Sequence, residues 1–171
     1  MPRNVEIKAR VAAPERLRAL ATDLADGPPL VIAQTDTFFA AGRGRLKLRV
    51  FADGAGELIS YERPDAAGPK ASRYGIAPVA DGAAMLAVLA AALPVRGVVR
   101  KRRELLLCGR TRIHLDRVEG LGDFLELEVV LAAGEDPAAG EAEARELMAR
   151  LEIAPDDLVT GAYVDLLGGG V

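Results

Sequence analysis

The sequence contains one cysteine, one histidine, no tryptophan, four phenylalanines and three tyrosines among 171 residues. A lone Cys108 excludes a disulfide framework and a cysteine-rich zinc cluster, and such spare use of cysteine fits a reducing cytoplasm. With so few aromatics, no stacking platform is interleaved with the one basic run, Arg100 to Arg103, and the net charge of -3 also argues against a general nucleic-acid binder. Long apolar runs are missing too. The longest, Ala83 to Val95, is too short and too rich in alanine to span a bilayer, and the opening MPRNVEIK lacks the apolar run of a signal peptide. The expectation is a cytoplasmic protein with no membrane segment.

What is present suits one domain over residues 1–171, since half the residues are apolar and can build a sizeable core. Leu17, Leu20 and Leu24 recur at helical spacing behind Pro14, which predicts an amphipathic helix over 13–26 ended by Gly27-Pro28-Pro29. Helical patterns also cover 81–93, 137–151 and 154–167. Between them lie alternating segments at 4–10, 30–40, 44–52, 56–64, 72–79, 98–108, 110–118 and 124–132, with turn sequences such as DGAG at 53–56 and EGLGD at 119–123. The class is α+β, rich in antiparallel strands.

Side chains two apart share a face of a strand, and in strand after strand one face is polar and carries charges of both signs. Val5 and Ile7 oppose Glu6, Lys8 and Arg10; Leu46 and Leu48 oppose Lys47 and Arg49. Lys101 and Arg103 share a face, as do Arg110, Arg112, His114 and Asp116, and Glu126 and Glu128. On one strand a charged face is ordinarily solvated. On all of them, with four helices needing apolar strand faces to pack on, the charged side is expected inside a closed sheet. Burying unpaired charges costs several kcal/mol each, so such an interior stays wet or holds a compensating anion. A triphosphate offers about the right density of acceptors for Lys8, Arg10, Lys47, Arg49, Arg63, Lys101, Arg103 and Arg112. The carboxylates among them imply a divalent cation, Mg²⁺ or Mn²⁺, between protein and phosphate.

The stretches NVEIKAR, GRLKLR, YERPD at 61–65, RKRR at 100–103, RIHLDRVEGLGDFLELEV at 112–129 and YVDLL at 163–167 together resemble the CYTH family, the triphosphate tunnel metalloenzymes. The resemblance implies an eight-stranded antiparallel closed β-barrel, a triphosphate tunnel with a charged interior, braced outside by helices. It also implies an enzyme similar to class IV adenylate cyclases, turning ATP into cyclic AMP and pyrophosphate. The alternatives are hydrolysis of tripolyphosphate, thiamine triphosphate or a nucleoside triphosphate, and a non-catalytic nucleotide- or polyphosphate-binding module.

The family's opening Glu-x-Glu-x-Lys falls on Asn4, Glu6 and Lys8, so the resemblance makes Glu6 a metal ligand and, with Lys8, a catalytic residue. Asn4 departs from the acidic pattern and adds no charge, which puts a second metal in question. By the same resemblance Lys8, Lys47, Arg49, Arg63, Lys101, Arg103 and Arg112 bind the triphosphate, while Glu6, Asp116, Glu126 and Glu128 hold Mg²⁺ or Mn²⁺. Glu62 competes with Arg63 for its inward slot if the strand bulges. His114 is read as a hydrogen-bonding residue rather than a catalytic base. Tyr163 and Asp165 are expected on a helix that caps the tunnel. The partner is a small triphosphate, with no nucleic acid and no membrane; a homodimer is left open.

Overall fold

The computed structural model describes residues 1–169. Its strands are β1 (Arg3–Arg10), β2 (Leu30–Phe39), β3 (Arg45–Phe51), β4 (Gly56–Glu62), β5 (Lys70–Val79), β6 (Val95–Cys108), β7 (Thr111–Val118) and β8 (Gly122–Leu131). They close into one antiparallel barrel in the order β1-β5-β4-β3-β2-β6-β7-β8. The eight strands follow the alternation in the sequence, although β6 begins at Val95, three residues before its predicted start.

The apolar strand faces point outward and are covered by helices. Helix α1 (Pro14–Leu24) and α3 (Pro137–Arg150) pack Leu17, Ala21, Leu147 and Met148 on Ile7, Ala9, Ile113, Leu125 and Leu127. Helix α2 (Gly82–Ala92) packs Met85, Leu86 and Leu89 on Phe39, Leu48 and Val79. Burying an aliphatic side chain contributes about 1.5–3 kcal/mol, so these contacts fix which face of every strand turns inward. Tight turns set the registers: Gly120, between β7 and β8, has φ +79°, a conformation that L side chains rarely adopt. No helix among the described residues is long and apolar enough to cross a membrane.

Residues 154–167 do not form the predicted helix. Pro155–Asp157 make one 3₁₀ turn, Leu158 then bridges to Ala9, and a short π-helical turn spans Asp165–Gly169. The segment between inserts at one end of the barrel, where Ala162, Tyr163 and Val164 pack with Phe38, Val99, Val118 and Phe124. A regular helix was favoured by the spacing of apolar residues alone; Gly161, with φ +78°, and barrel packing override it.

Candidate functional site

The interior of the barrel is a cavity of about 300 Å³. Seven cations, Lys8, Lys47, Arg49, Arg63, Lys101, Arg103 and Arg112, line it together with five carboxylates, Glu6, Asp36, Glu57, Glu126 and Glu128. Of the eight cations expected inside from the sequence, seven are there. Arg10 is not among them: it is exposed at the rim, its guanidinium 5.1 Å from the centre of the Phe124 ring. Arg110 turns to the outer surface and bonds Glu135 and Glu143 at 2.7 Å. Glu62 is exposed, and Arg63, just past β4, takes the inward slot.

The strand registers are strongly staggered, as closure into a barrel requires, and they stack the inward side chains in layers. Deepest, beside Tyr163, are Lys8, Arg63, Phe38, Val99 and Phe124. Next come Glu6, Lys47, Asp36, Lys101, Asp116 and Glu126, and above them Asn4, Arg49, Arg103, His114 and Glu128. Side-chain exposure is 4–5% for Arg63 and Lys8 at the deep end and reaches 32% at Arg112, so the end opposite Tyr163 is the mouth.

Most of the buried cations are paired, the exception being Lys70 on β5 opposite Glu6, whose buried ammonium has no hydrogen-bond partner. Asp36, on β2, accepts from Lys47 at 2.8 Å and from Arg49 at 2.9 Å. Asp116, on β7, accepts from Lys101 at 2.9 Å, from Arg103 at 2.6 and 2.7 Å, and from the Tyr163 hydroxyl at 3.0 Å. Burial by itself would raise both carboxyls, but Lys47 and Arg49 hold Asp36, and Arg103 and Lys101 hold Asp116, well below the usual carboxylate range. Asp36 was missed from the sequence. Its signal was the parity of Gln34, Asp36 and Phe38 in β2, which turns an acid toward the cations of β3.

The wall made by β1, β8 and β7 is different. Glu6 stands opposite Glu128, Lys8 opposite Glu126, and Glu126 opposite His114. Ligand atoms of His114, Glu126 and Glu128 all lie within 4.8 Å of one another. His114 Nδ1 is 3.8 Å from an oxygen of each glutamate, and it is buried with no hydrogen-bond partner; Asn4 Oδ1 is likewise orphaned. Oxygen-rich donors with unsatisfied buried atoms suit a divalent cation. The structure therefore gathers Glu126 and Glu128 with His114, a residue read from the sequence as a hydrogen-bonding side chain. Glu6 lies on the same wall, tied at 2.6 Å to Arg63, and burial raises its pKa against the opposing pull of Arg63. Asp116 faces Lys101 and Arg103 instead, outside that cluster.

Lys8 joins the two regions. Its ammonium is 3.3 Å from Glu126 and 3.9 Å from the centre of the Tyr163 ring, and burial lowers its pKa to about 8 even though Glu126 opposes the change.

A wide antiparallel barrel with a charged, cation-rich interior and a mixed acidic wall defines the class of tunnel barrels. The family model for the CYTH domain matches residues 2–163, and the chain belongs to the CYTH family. No curated protein matches the sequence. Among solved structures, the PH1012 protein of Pyrococcus horikoshii is similar at 24% identity and a TM-score of 0.84, over 95% of this chain and 98% of that one. A Vibrio parahaemolyticus protein provisionally assigned as an adenylate cyclase shares 16% identity at a TM-score of 0.79, over 96% and 97% of the two chains. HpAC1 of Hippeastrum, provisionally assigned as an adenylyl cyclase and described as having a dominant triphosphatase activity, shares 15% identity at a TM-score of 0.69, over 98% and 97%.

Proposed function

We propose that this chain is a divalent-metal-dependent enzyme that binds a linear triphosphate in its barrel and catalyses attack at one of its phosphorus atoms. The observation that carries the reading is the interior itself, seven cations set around a wall of glutamates in a cavity of about 300 Å³. In phosphoryl and nucleotidyl transfer, positioning and charge neutralisation are most of the catalysis. Lys47, Arg49, Lys101 and Arg103 hold the phosphate chain by exchanging part of their carboxylate contacts for phosphate oxygens. Arg63 and Lys8 meet its deep end, and Arg112 its end toward the mouth.

Glu126, Glu128 and His114, with Glu6 and Asn4 beside them, are the residues that would hold Mg²⁺ or Mn²⁺; Asp116 orients Lys101 and Arg103. A metal ion bound there would neutralise charge developing on the triphosphate oxygens. Glu6 and Lys8 flank the deep end of the phosphate chain, which is the reacting end when the phosphorus attacked lies there. Attack by the ribose 3′-hydroxyl of ATP on the α-phosphorus gives cyclic AMP and pyrophosphate, the adenylate cyclase reading. Attack by water on the terminal phosphorus breaks the terminal P–O bridge and gives phosphate and the diphosphate left behind, a triphosphatase reading that the dominant activity of HpAC1 supports equally.

The test is incubation with ATP, tripolyphosphate and thiamine triphosphate in Mg²⁺ or Mn²⁺, reading phosphate, pyrophosphate and cyclic AMP in parallel. Turnover of at least one is expected in wild type and is abolished in Glu126→Gln and Glu128→Gln while circular dichroism is unaltered. Full activity in both variants rejects the ligand assignment; binding without turnover of any substrate supports the non-catalytic module.

A further inference from the structure

Deep in the barrel, two lysine ammoniums face one aromatic ring. The centre of the Tyr163 ring lies 3.9 Å from Lys8 Nζ and 4.7 Å from Lys101 Nζ. Its hydroxyl donates to Asp116 Oδ2 at 3.0 Å, the oxygen that also accepts from Lys101 at 2.9 Å and from Arg103 at 2.6 Å. Tyr163 is buried, and Phe124 meets it edge-on with ring centres 5.0 Å apart, so the ring is held in place. Two residues earlier, the Gly161 carbonyl accepts from Arg63 at 2.7 Å and from Lys8 at 3.3 Å. The C-terminal segment therefore touches Lys8, Arg63 and Lys101 directly and reaches Arg103 through Asp116.

A ring does for a lysine what a carboxylate does not. Its negative face attracts an ammonium within about 6 Å of its centre, yet it neutralises no charge and occupies no N–H. An ammonium has three donors. Lys8 is engaged by Glu126 and Gly161, and Lys101 by Asp116, so the ring steadies both while leaving donor capacity for an incoming phosphate. The hydroxyl acts on Asp116. Three donors share Oδ2, more than the lone pairs of one oxygen serve well, so the carboxylate holds Lys101 and Arg103 less tightly than it would without Tyr163. Burial pushes the pKa of that hydroxyl up, with Glu126 and Asp116 acting in the same direction, and it stays a donor. We infer that Tyr163 is a positioning residue of the phosphate site: its ring sets the Lys8 and Lys101 ammoniums for the phosphate chain, and its hydroxyl eases the release of Lys101 and Arg103 from Asp116. This inference rests on the triphosphate reading above.

Tyr163→Phe keeps the ring and loses the hydroxyl, whereas Tyr163→Leu loses both. Calorimetry with tripolyphosphate in Mg²⁺ gives the affinity of each variant, and kcat is measured on whichever of ATP and tripolyphosphate wild type turns over. Tyr163→Phe is expected to lose affinity several-fold while kcat stays within about twofold, as one hydrogen bond to a charged group has changed. In Tyr163→Leu kcat falls about tenfold, the scale of a desolvated cation–π contact, and affinity falls further than in Tyr163→Phe. Circular dichroism and urea midpoints report how much of each variant is folded. A tyrosine that only packs would lower the midpoints and leave affinity and kcat per folded molecule at wild-type values, and that result overturns the inference. Equal losses of kcat in the two variants overturn the role of the ring. Should Tyr163→Leu fail to fold, Tyr163→Phe decides alone, and wild-type affinity in it overturns the inference. In a barrel that binds without turnover, the order of the affinities decides. Wild type that neither binds tripolyphosphate nor turns over either substrate overturns the triphosphate reading itself.

Discussion

At the scale of single residues, Asp36, Asp116 and Glu126 each serve two of the interior's cations. Asp36 shows the energetics. With Lys47 and Arg49 both bonded to it and its side chain 3% exposed, removing its charge strands two buried cations. Breaking a buried pair by removing one partner costs about 3–5 kcal/mol. Asp36→Asn should therefore unfold at lower urea with a loss of that order, and tripolyphosphate, which supplies the missing anion, should restore more stability to the variant than it adds to wild type. A urea midpoint equal to that of wild type would show that the cations find water instead. Asn4 makes a second case, because its orphaned Oδ1 lies on the glutamate wall where a carboxylate would add charge. A hard cation gains from charge as well as from oxygen count. Asn4→Glu should shift activity to lower Mg²⁺ and Mn²⁺ concentrations; superimposable metal curves for the two proteins would place Asn4 outside the metal shell.

At the scale of elements, the C-terminal segment is the piece that local pattern misassigned. Its seat depends on Gly97, near a register shift between β2 and β6: a Cβ placed there would come within 2.5 Å of Val164 Cγ2. Overpacking of a closed contact costs about 1–3 kcal/mol. Gly97→Ala should thus lower stability by about that much and make the segment around Tyr163 more accessible to protease, while adding Val164→Ala should recover most of the loss. A Gly97→Ala protein as stable and as protease-resistant as wild type would mean that the segment is anchored elsewhere. The strands behave otherwise. In β3 and β8 one face is apolar and the other charged, and the helices leave each strand only one orientation, so their inward residues were readable from parity alone.

At the scale of the molecule, the ligand-free barrel carries a pH dependence of determinable sign. Burial lowers the pKa of Lys47 to about 8, despite Asp36, whereas a lysine in the unfolded chain titrates near ~10.4. Between those values the unfolded chain holds the proton and the folded one has released it. Stability rises with pH wherever the unfolded state binds more protons, so this group adds stability as pH climbs from about 8 to ~10.4 and contributes no slope below about 8. Comparing urea midpoints of wild type and Lys47→Met at pH 7.5 and 9.5, wild type should gain on the variant at the higher pH; parallel shifts would reject the assignment. Tripolyphosphate reverses the demand, since its charge favours protonated Lys47, and its affinity should fall as pH rises through about 8.

Period-two alternation and apolar matching to helices were enough for the sequence alone to mark eight strands, the inward faces of most of them and the seven cations that line the cavity, though they also put Arg10 inside, where it is not. These depend on relations between residues two apart, which a chain displays without folding. Only the tertiary structure decided the pairings. Whether Asp116 faces a metal or Lys101 and Arg103, whether His114 joins Glu126 and Glu128, and whether Asp36 serves β3 at all depend on register and stagger between distant strands. The same holds for residues 154–167, where an apolar pattern compatible with a helix gave way to the better burial of Tyr163 inside the barrel's end. Long-range burial outweighs helix propensities of a few tenths of a kcal/mol per residue.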